Sequence, residues 1–404
     1  MSPARGRPTR IAMDVTSLLG TATGVGAMTR AIAERLPGLL VAGEVELTGY
    51  VVSVRGRSEL RSVLPDGWSP RALPYPARLA HRLWRSVDVP AVTGFDLVHG
   101  PNYVVPPAGG AARLVTVHDL TAWRFPELVS DHCRAYPEHL VRAVAGGAHV
   151  HAVSHHVAGE LTADVGLPVD RVHVVANGYT PVPGDRPADG ARGLAAVGSP
   201  YVLAIGTVEP RKDHVGLVMA MTEVWTRFPD IVLAIVGEDG WAANELNETI
   251  AGLGCGDRIV RLGYVTQELK QDLLAGAELL AFPSRYEGFG LPVLEAMDIG
   301  VPVVSTTAGS IPEVAGDAAL LVEPGDPAVM ADALISVLED RALRARLVSA
   351  GRSNVSRYSW DRTAAAMVSL YDRLLTDHPY RAGQASAGSP RHPVTSPESP
   401  QSSA

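Results

Sequence analysis

Short runs of β-branched and aliphatic residues alternate along the chain with longer stretches whose apolar positions recur every three or four residues. In the first half the runs are Ile11–Val15, Val45–Val52, Leu97–His99, Leu114–His118, Val150–Val153 and Val172–Val175. A helix is expected from about Val25 to Leu36, with further helical stretches between several of the other runs. In the second half Tyr201–Ile205, Ile231–Val236, Arg258–Leu262, Leu279–Phe282 and Val301–Ser305 alternate with helical segments. Strands separated by helices predict parallel sheets. The expected fold class is α/β, two Rossmann-like domains facing a central cleft. Ligands are then expected at the carboxyl ends of the strands. No short-period repeat is visible.

Composition refines this picture. The chain has 404 residues, 46% of them hydrophobic and 19% charged, enough for two or three domains at roughly 150 residues each. The first 180 residues carry 17 basic and 15 acidic groups; the remainder carry 18 and 28. Between them lies Pro181-Val-Pro-Gly-Asp-Arg-Pro-Ala-Asp-Gly190, dense in Pro and Gly, which is read as the start of a linker over 181–197. The domains are placed at 1–180 and 198–352, a closing helix at 353–376, and a Ser/Pro/Ala/Gly-rich tail, expected to be disordered, at 377–404. A net charge of −8 argues against a dedicated nucleic-acid binder. Cys133 and Cys255 alone make neither a disulfide framework nor a zinc site. No apolar run approaches the about 20 residues that span a bilayer, and Met1–Arg10 is a poor signal peptide, so a cytoplasmic protein is expected. Only Lys212 and Lys270 are lysine, and only five residues are phenylalanine. A Lys or Phe that survives such a bias is informative.

The strongest constellation is Arg285-Tyr-Glu-Gly-Phe-Gly-Leu-Pro-Val-Leu-Glu295, directly after an apolar strand. Gly288 and Gly290 permit close backbone approach, and Pro292 suits a first helical turn. The amides of Phe289, Gly290 and Leu291 would then point out of a helix N-terminus, an anion site suited to a diphosphate. Glu287 precedes this helix and Glu295 lies about one turn inside it. One can accept hydrogen bonds from sugar hydroxyls, the other from a ribose. The plainer reading is a Gly-Pro helix start with two solvated glutamates.

This segment resembles the Glu-x7-Glu motif of retaining, family-4-type (group 1) glycosyltransferases of the GT-B fold, mannosyltransferases among them. The resemblance extends over almost the whole chain and includes Gly206-Thr-Val-Glu-Pro-Arg-Lys-Asp213, Val301–Ser305, Gly309-Ser-Ile-Pro-Glu313 and Ser359-Trp360. It implies an acceptor-binding first domain, a sugar-nucleotide-binding second domain and a last helix that crosses back. It also implies that Arg211 and Lys212 clamp the donor diphosphate in the role a metal has elsewhere, that Glu287 holds the sugar and that Glu295 holds the ribose. Fixed cations there stabilise the charge that grows on the leaving group. Many relatives have Arg where this chain has Thr207, which shifts weight onto Arg211.

In the first half, Thr23-Gly24-Val-Gly26 reads either as a plain turn or, by the resemblance, as a loop facing the donor phosphates and the acceptor. Val115-Thr-Val-His-Asp119 ends a buried strand. A lone strand-end His is more often structural; by the resemblance His118 reaches the donor sugar, and Asp119 orients His118 or binds the acceptor. Asp14 is a further acceptor-side candidate. Tyr264 and Val265 resemble the family segment beside the nucleotide base. His149, His151, His155 and His156 lack a completing ligand set and read as structural. Arg71–Arg85 is a basic, partly amphipathic stretch that either solvates a packed helix or meets anionic lipid or a lipid-linked acceptor.

The expectation is a retaining, metal-independent glycosyltransferase that moves a hexose, with mannose from GDP-mannose as the donor guess, from a nucleotide-sugar donor to a hydroxyl acceptor. No cofactor beyond that co-substrate is expected, and any membrane association is peripheral. A nucleotide-sugar epimerase or hydrolase and an inactive GT-B-like binding protein remain alternatives.

Overall fold

The computed structural model describes residues 7–19, 24–53, 58–181 and 188–378. The 379–404 stretch of the expected tail, and Thr23 of the glycine loop, lie outside the described residues.

Two all-parallel sheets form the molecule. The first has seven strands in the order β3-β2-β1-β4-β5-β6-β7: β1 (Thr9–Asp14), β2 (Val45–Val52), β3 (Trp68–Leu73), β4 (Leu97–Gly100), β5 (Ala112–Val117), β6 (His149–Ala152) and β7 (Val172–Val174). The second has six, β10-β9-β8-β11-β12-β13: β8 (Tyr201–Ile205), β9 (Val232–Val236), β10 (Ile259–Gly263), β11 (Leu279–Phe282), β12 (Val303–Thr306) and β13 (Leu320–Val322). Strand order reverses between β1 and β4 and between β8 and β11. Crevices open at the carboxyl edge of such reversals; Asp14 ends β1 and Gly206 follows β8 at these two edges.

The central strands are apolar throughout because helices cover both sheet faces. All five residues of β8 and all four of β11 are buried. One apolar core runs through the first sheet and continues across the domain junction to Phe282, Tyr286, Phe289 and Trp360; a second fills the far side of the second sheet.

Several local expectations change. The edge strand β3 was not foreseen, and it takes up the first residues of the Arg71–Arg85 stretch; only Ala77–Trp84 is helical. The stretch read as linker includes a helix, Gly190–Val197, which Asp189 caps by accepting from the amides of Ala191 and Arg192. This helix packs so tightly on the Gln267–Gly276 helix that a Cβ on Gly193 would overlap the Asp272 carbonyl.

The last helix, Trp360–Asp377, is capped by Ser359 and packs against the helix Gly24–Leu39 of the first domain. It buries Met367, Leu370, Tyr371 and Leu374, and each of the Met and Leu side chains is worth ~1.5–3 kcal/mol of transfer free energy. Tyr371 Oη meets His99 Nδ1 at 2.7 Å, His99 Nε2 meets Thr116 Oγ1 at 2.8 Å, and Thr116 Oγ1 meets His151 Nδ1 at 3.0 Å. His151 Nε2 completes the chain by donating to the Val175 carbonyl at 2.8 Å. These histidines therefore spend their nitrogens inside the core. Among the described residues no group of three or more His, Cys, Asp or Glu is placed to hold a metal.

Candidate active site

The second-domain wall begins where β8 ends. The chain passes Gly206 and the exposed Thr207, makes a short turn at Pro210–Lys212, and enters the helix His214–Arg227. Asp213 caps that helix by accepting from the Gly216 amide, and its carboxylate is held by Arg285 at 2.9 Å. The Arg285 amide in turn donates to the Arg211 carbonyl at 2.8 Å. The Arg-Lys turn and the Glu-x7-Glu segment are thus stitched together by backbone.

Arg211 and Lys212 converge on Glu287. Arg211 Nη1 donates to Glu287 Oε2 at 3.0 Å and to the Tyr286 carbonyl at 2.9 Å, and its Nη2 donates to Glu209 Oε1 at 2.6 Å. Lys212 Nζ donates to Glu287 Oε1 and lies 5.0 Å from the centre of the Phe282 ring. All three side chains are at most 15% exposed. Burial pushes the Glu287 carboxyl up, but Lys212 and Arg211 outweigh it and hold the group below its usual range. Burial lowers the Lys212 ammonium despite Glu287. The result is a desolvated cluster in which both cations meet Glu287 and Arg211 also meets Glu209. Glu209 was not singled out from the sequence, although it lies inside the quoted Glu-Pro-Arg-Lys run.

Beside it, Gly290 holds φ at +97° as the N-cap of the helix Leu291–Ile299, with Pro292 in the first turn. Among the described residues the amides of Phe289, Gly290 and Leu291 find no protein acceptor; those of Gly290 and Leu291 open the helix, whose first turn leaves its amides unpaired. Phe289 is buried edge-on against Tyr358, with ring centres 5.8 Å apart. Glu295 lies one turn inside. Its Oε1 accepts from Lys270 Nζ at 2.7 Å, so Lys270, which the sequence reading left without a role, is a partner of the motif. Tyr264, 58% exposed, and Val265 flank β10, in the loop that leads to the helix bearing Lys270.

The first-domain wall carries His118 and Asp119, just beyond β5. His118 Nε2 donates to the Pro101 carbonyl at 2.8 Å, and burial lowers its pKa, so the ring is neutral near pH 7. The Asp119 Oδ1 accepts from Tyr103 Oη at 3.0 Å and from the Thr121 amide at 2.8 Å, and its charge acts on the His118 ring. Tyr103 has φ of +57°, a strained conformation of order 1–3 kcal/mol for a non-glycine residue, and stacks on Tyr136 with centroids 4.6 Å apart. Asp14 accepts from the Thr16 amide at 2.8 Å, and burial raises its pKa. With Arg78, His81, Asn102, His132 and Tyr136 it lines a cavity of about 440 Å³. Gly24 is the exposed first residue and Gly26 a buried residue of the helix Gly24–Leu39. Trp84 of the basic helix is buried and donates to the Pro90 carbonyl at 2.8 Å.

The two walls touch. Tyr286 Oη accepts from the Leu120 amide at 2.7 Å and donates to Glu160 Oε2 at 2.6 Å. Ser154 Oγ caps the helix His155–Ala163 by accepting from the Val157 amide, and donates to the Gly288 carbonyl at 3.0 Å. The Glu313 carboxylate accepts from the amides of His155 and His156 at 3.0 Å each, a second-domain anion on a first-domain helix N-terminus. Tyr286, Glu160 and Glu313 were not predicted as site residues; the only signal was that Tyr286 and Glu313 sit inside quoted motifs.

The "Glycosyl transferases group 1" family model matches residues 185–354, and the "Glycosyltransferase Family 4" model matches 22–181. The chain is similar to O-antigen chain mannosyltransferase B of Escherichia coli, 31% identical over 288 residues, covering 69% of this chain and 74% of the relative. It is also similar to a D-inositol 3-phosphate glycosyltransferase of Salinispora arenicola, 30% identical over 69% of this chain and 68% of the relative. In fold it resembles Anabaena HepE in complex with UDP and glucose, with a TM-score of 0.67, 19% identity, and coverage of 90% of this chain and 98% of that one. No described helix is long and apolar enough to cross a membrane. With its paired parallel-sheet domains and both family signatures, the chain belongs to the group 1, family-4-type glycosyltransferases of the GT-B fold.

Proposed function

We propose that the protein is a retaining, metal-independent hexosyltransferase that takes its sugar from a nucleoside-diphosphate donor bound against the second domain. The observation that carries this reading is the convergence of Arg211 and Lys212 on one buried carboxylate, beside the unpaired amides at 289–291. A diphosphate can exchange for the carboxylate as the partner of both cations, with the helix N-terminus completing the anion site.

In the reaction the bond between the anomeric carbon and the phosphate oxygen breaks while the acceptor oxygen bonds to the same face of that carbon. The acceptor proton passes to the departing phosphate oxygen. Arg211 and Lys212 hold the growing negative charge, Glu287, released from the cations, orients the sugar, and neutral His118 faces the sugar from the first domain. Glu295 accepts from the ribose, and Thr207, Tyr264 and Val265 border the nucleotide. The acceptor hydroxyl enters from the cavity at Asp14; Asp119 serves the acceptor side, and Gly24 and Gly26 belong to the loop that faces the donor phosphates and the acceptor. The similarity to a mannosyltransferase supports mannose, carried by GDP, as the transferred sugar. The acceptor is a glycan, glycolipid or glycoside, and the reaction runs in the cytoplasm or at the inner membrane face.

A thermal-shift screen of the full chain with GDP-, UDP-, ADP- and dTDP-sugars tests the reading, because ligand that binds the native state raises Tm by mass action. A clear rise with GDP-mannose, followed by transfer to a hydroxyl acceptor, is expected. No stabilisation by any donor, or epimerised sugar produced without acceptor, contradicts it.

A further inference from the structure

Glu295 is held by only one of its oxygens. Oε1 accepts from Lys270 Nζ at 2.7 Å, while Oε2 is buried and has no hydrogen-bond partner. The two side chains are 14% and 20% exposed. A buried carboxylate oxygen left unsatisfied is costly, and a buried carboxylate that loses its counter-ion is costlier still. Such an atom needs a partner that the described residues do not supply.

Placement agrees. Lys270 stands in the first turn of the helix Gln267–Gly276, Glu295 one turn into the helix Leu291–Ile299. The first helix follows the loop of Tyr264 and Val265; the second starts at the unpaired amides of 289–291. A nucleotide with its diphosphate on those amides and its base toward that loop passes its ribose between the two.

We infer that Lys270 is a positioning and specificity-determining residue, which ties down Glu295 Oε1 so that Oε2 accepts a ribose hydroxyl and the site selects ribonucleotides over deoxyribonucleotides. The inference rests on the proposed ribose role of Glu295. Lys270 touches no substrate itself. It holds Glu295 in one rotamer through a charge-assisted hydrogen bond.

The test is calorimetric binding of GDP, UDP and their 2′,3′-dideoxy analogues to the full chain. The unsubstituted protein should prefer the ribo forms by roughly ten- to hundred-fold, the range for hydrogen bonds to a charged group. Lys270→Met should lose most of that preference while binding the dideoxy forms as before. Lys270→Arg, which keeps the charge, should retain it. The double variant Lys270→Met/Glu295→Gln, which removes both buried charges together, keeps the question open to measurement if the single variant does not fold, and should discriminate no better than Glu295→Gln alone. Full discrimination in Lys270→Met, or in the double variant relative to Glu295→Gln, overturns the role of Lys270. Absence of any preference in the unsubstituted protein overturns the ribose reading beneath it instead.

Discussion

Gly288 of the second domain lies directly against the carbonyl of His118 in the first, so close that a Cβ at 288 would overlap that oxygen and crowd Asp119. The start of the Glu-x7-Glu motif is thus also a direct contact between the domains, beside the proposed sugar-facing His118. Gly288→Ala must push the walls apart, because the obstacle is backbone and cannot rotate away. Its radius of gyration by solution scattering should exceed that of the parent, and kcat/KM should fall at least ten-fold while each domain stays folded. An unchanged radius and unchanged activity would show that this contact does not limit closure.

Glu287 pairs with both Arg211 and Lys212. Glu287→Gln leaves Arg211 with Glu209 and leaves Lys212 without its carboxylate, a loss of about 3–5 kcal/mol for breaking a buried pair. The variant should therefore melt earlier than the parent. A nucleoside diphosphate should then raise its Tm by more than it raises the parent's, since no carboxylate competes for the cations. An equal ligand-induced rise in both proteins would argue against the exchange.

Stability should fall between neutral and mildly acidic pH. Burial, with neighbouring positive groups, lowers His81, His139, His151 and His214 from 6.5 to about 4. Between these values the unfolded chain binds more protons than the folded one, so stability is full above 6.5 and drains away toward 4. His151 alone contributes on the order of 3 kcal/mol to this slope. The urea midpoint should be lower at pH 5 than at pH 7.5, and His151→Gln should flatten the difference. A midpoint insensitive to pH in this window would mean that these histidines are solvated in the folded state.

Turnover should persist in excess EDTA, because fixed cations take the place of a metal in the proposed chemistry. Loss of activity that Mg²⁺ restores would contradict this directly.

The two sheets could be read from the chain because buried parallel strands are continuous apolar runs, as in Tyr201–Ile205 and Leu279–Phe282. β3 escaped because Pro70 and Arg71 sit inside it; only an edge strand tolerates such residues. β13, three residues long, is too short to show a period. The helix Gly190–Val197 hid in a Gly/Ala composition that reads as linker, and its cap at Asp189 was the one local sign. At the site, Glu287, Arg211 and Lys212 were legible as a motif. The pairing of Lys270 with Glu295 was not, because it joins residues 25 positions apart on separate helices, and local pattern carries no such information. Tyr286 and Tyr103 were missed for the same reason: their hydroxyls act across elements that only the fold brings together.

The central claim is that Arg211 and Lys212 form the donor diphosphate site. Calorimetric titration of GDP and UDP into the parent and into Lys212→Ala tests it most directly. The account predicts saturable binding by the parent to at least one of the two, weakened ten-fold or more in the variant, with turnover reduced to match. Equal affinity in the two proteins would contradict it.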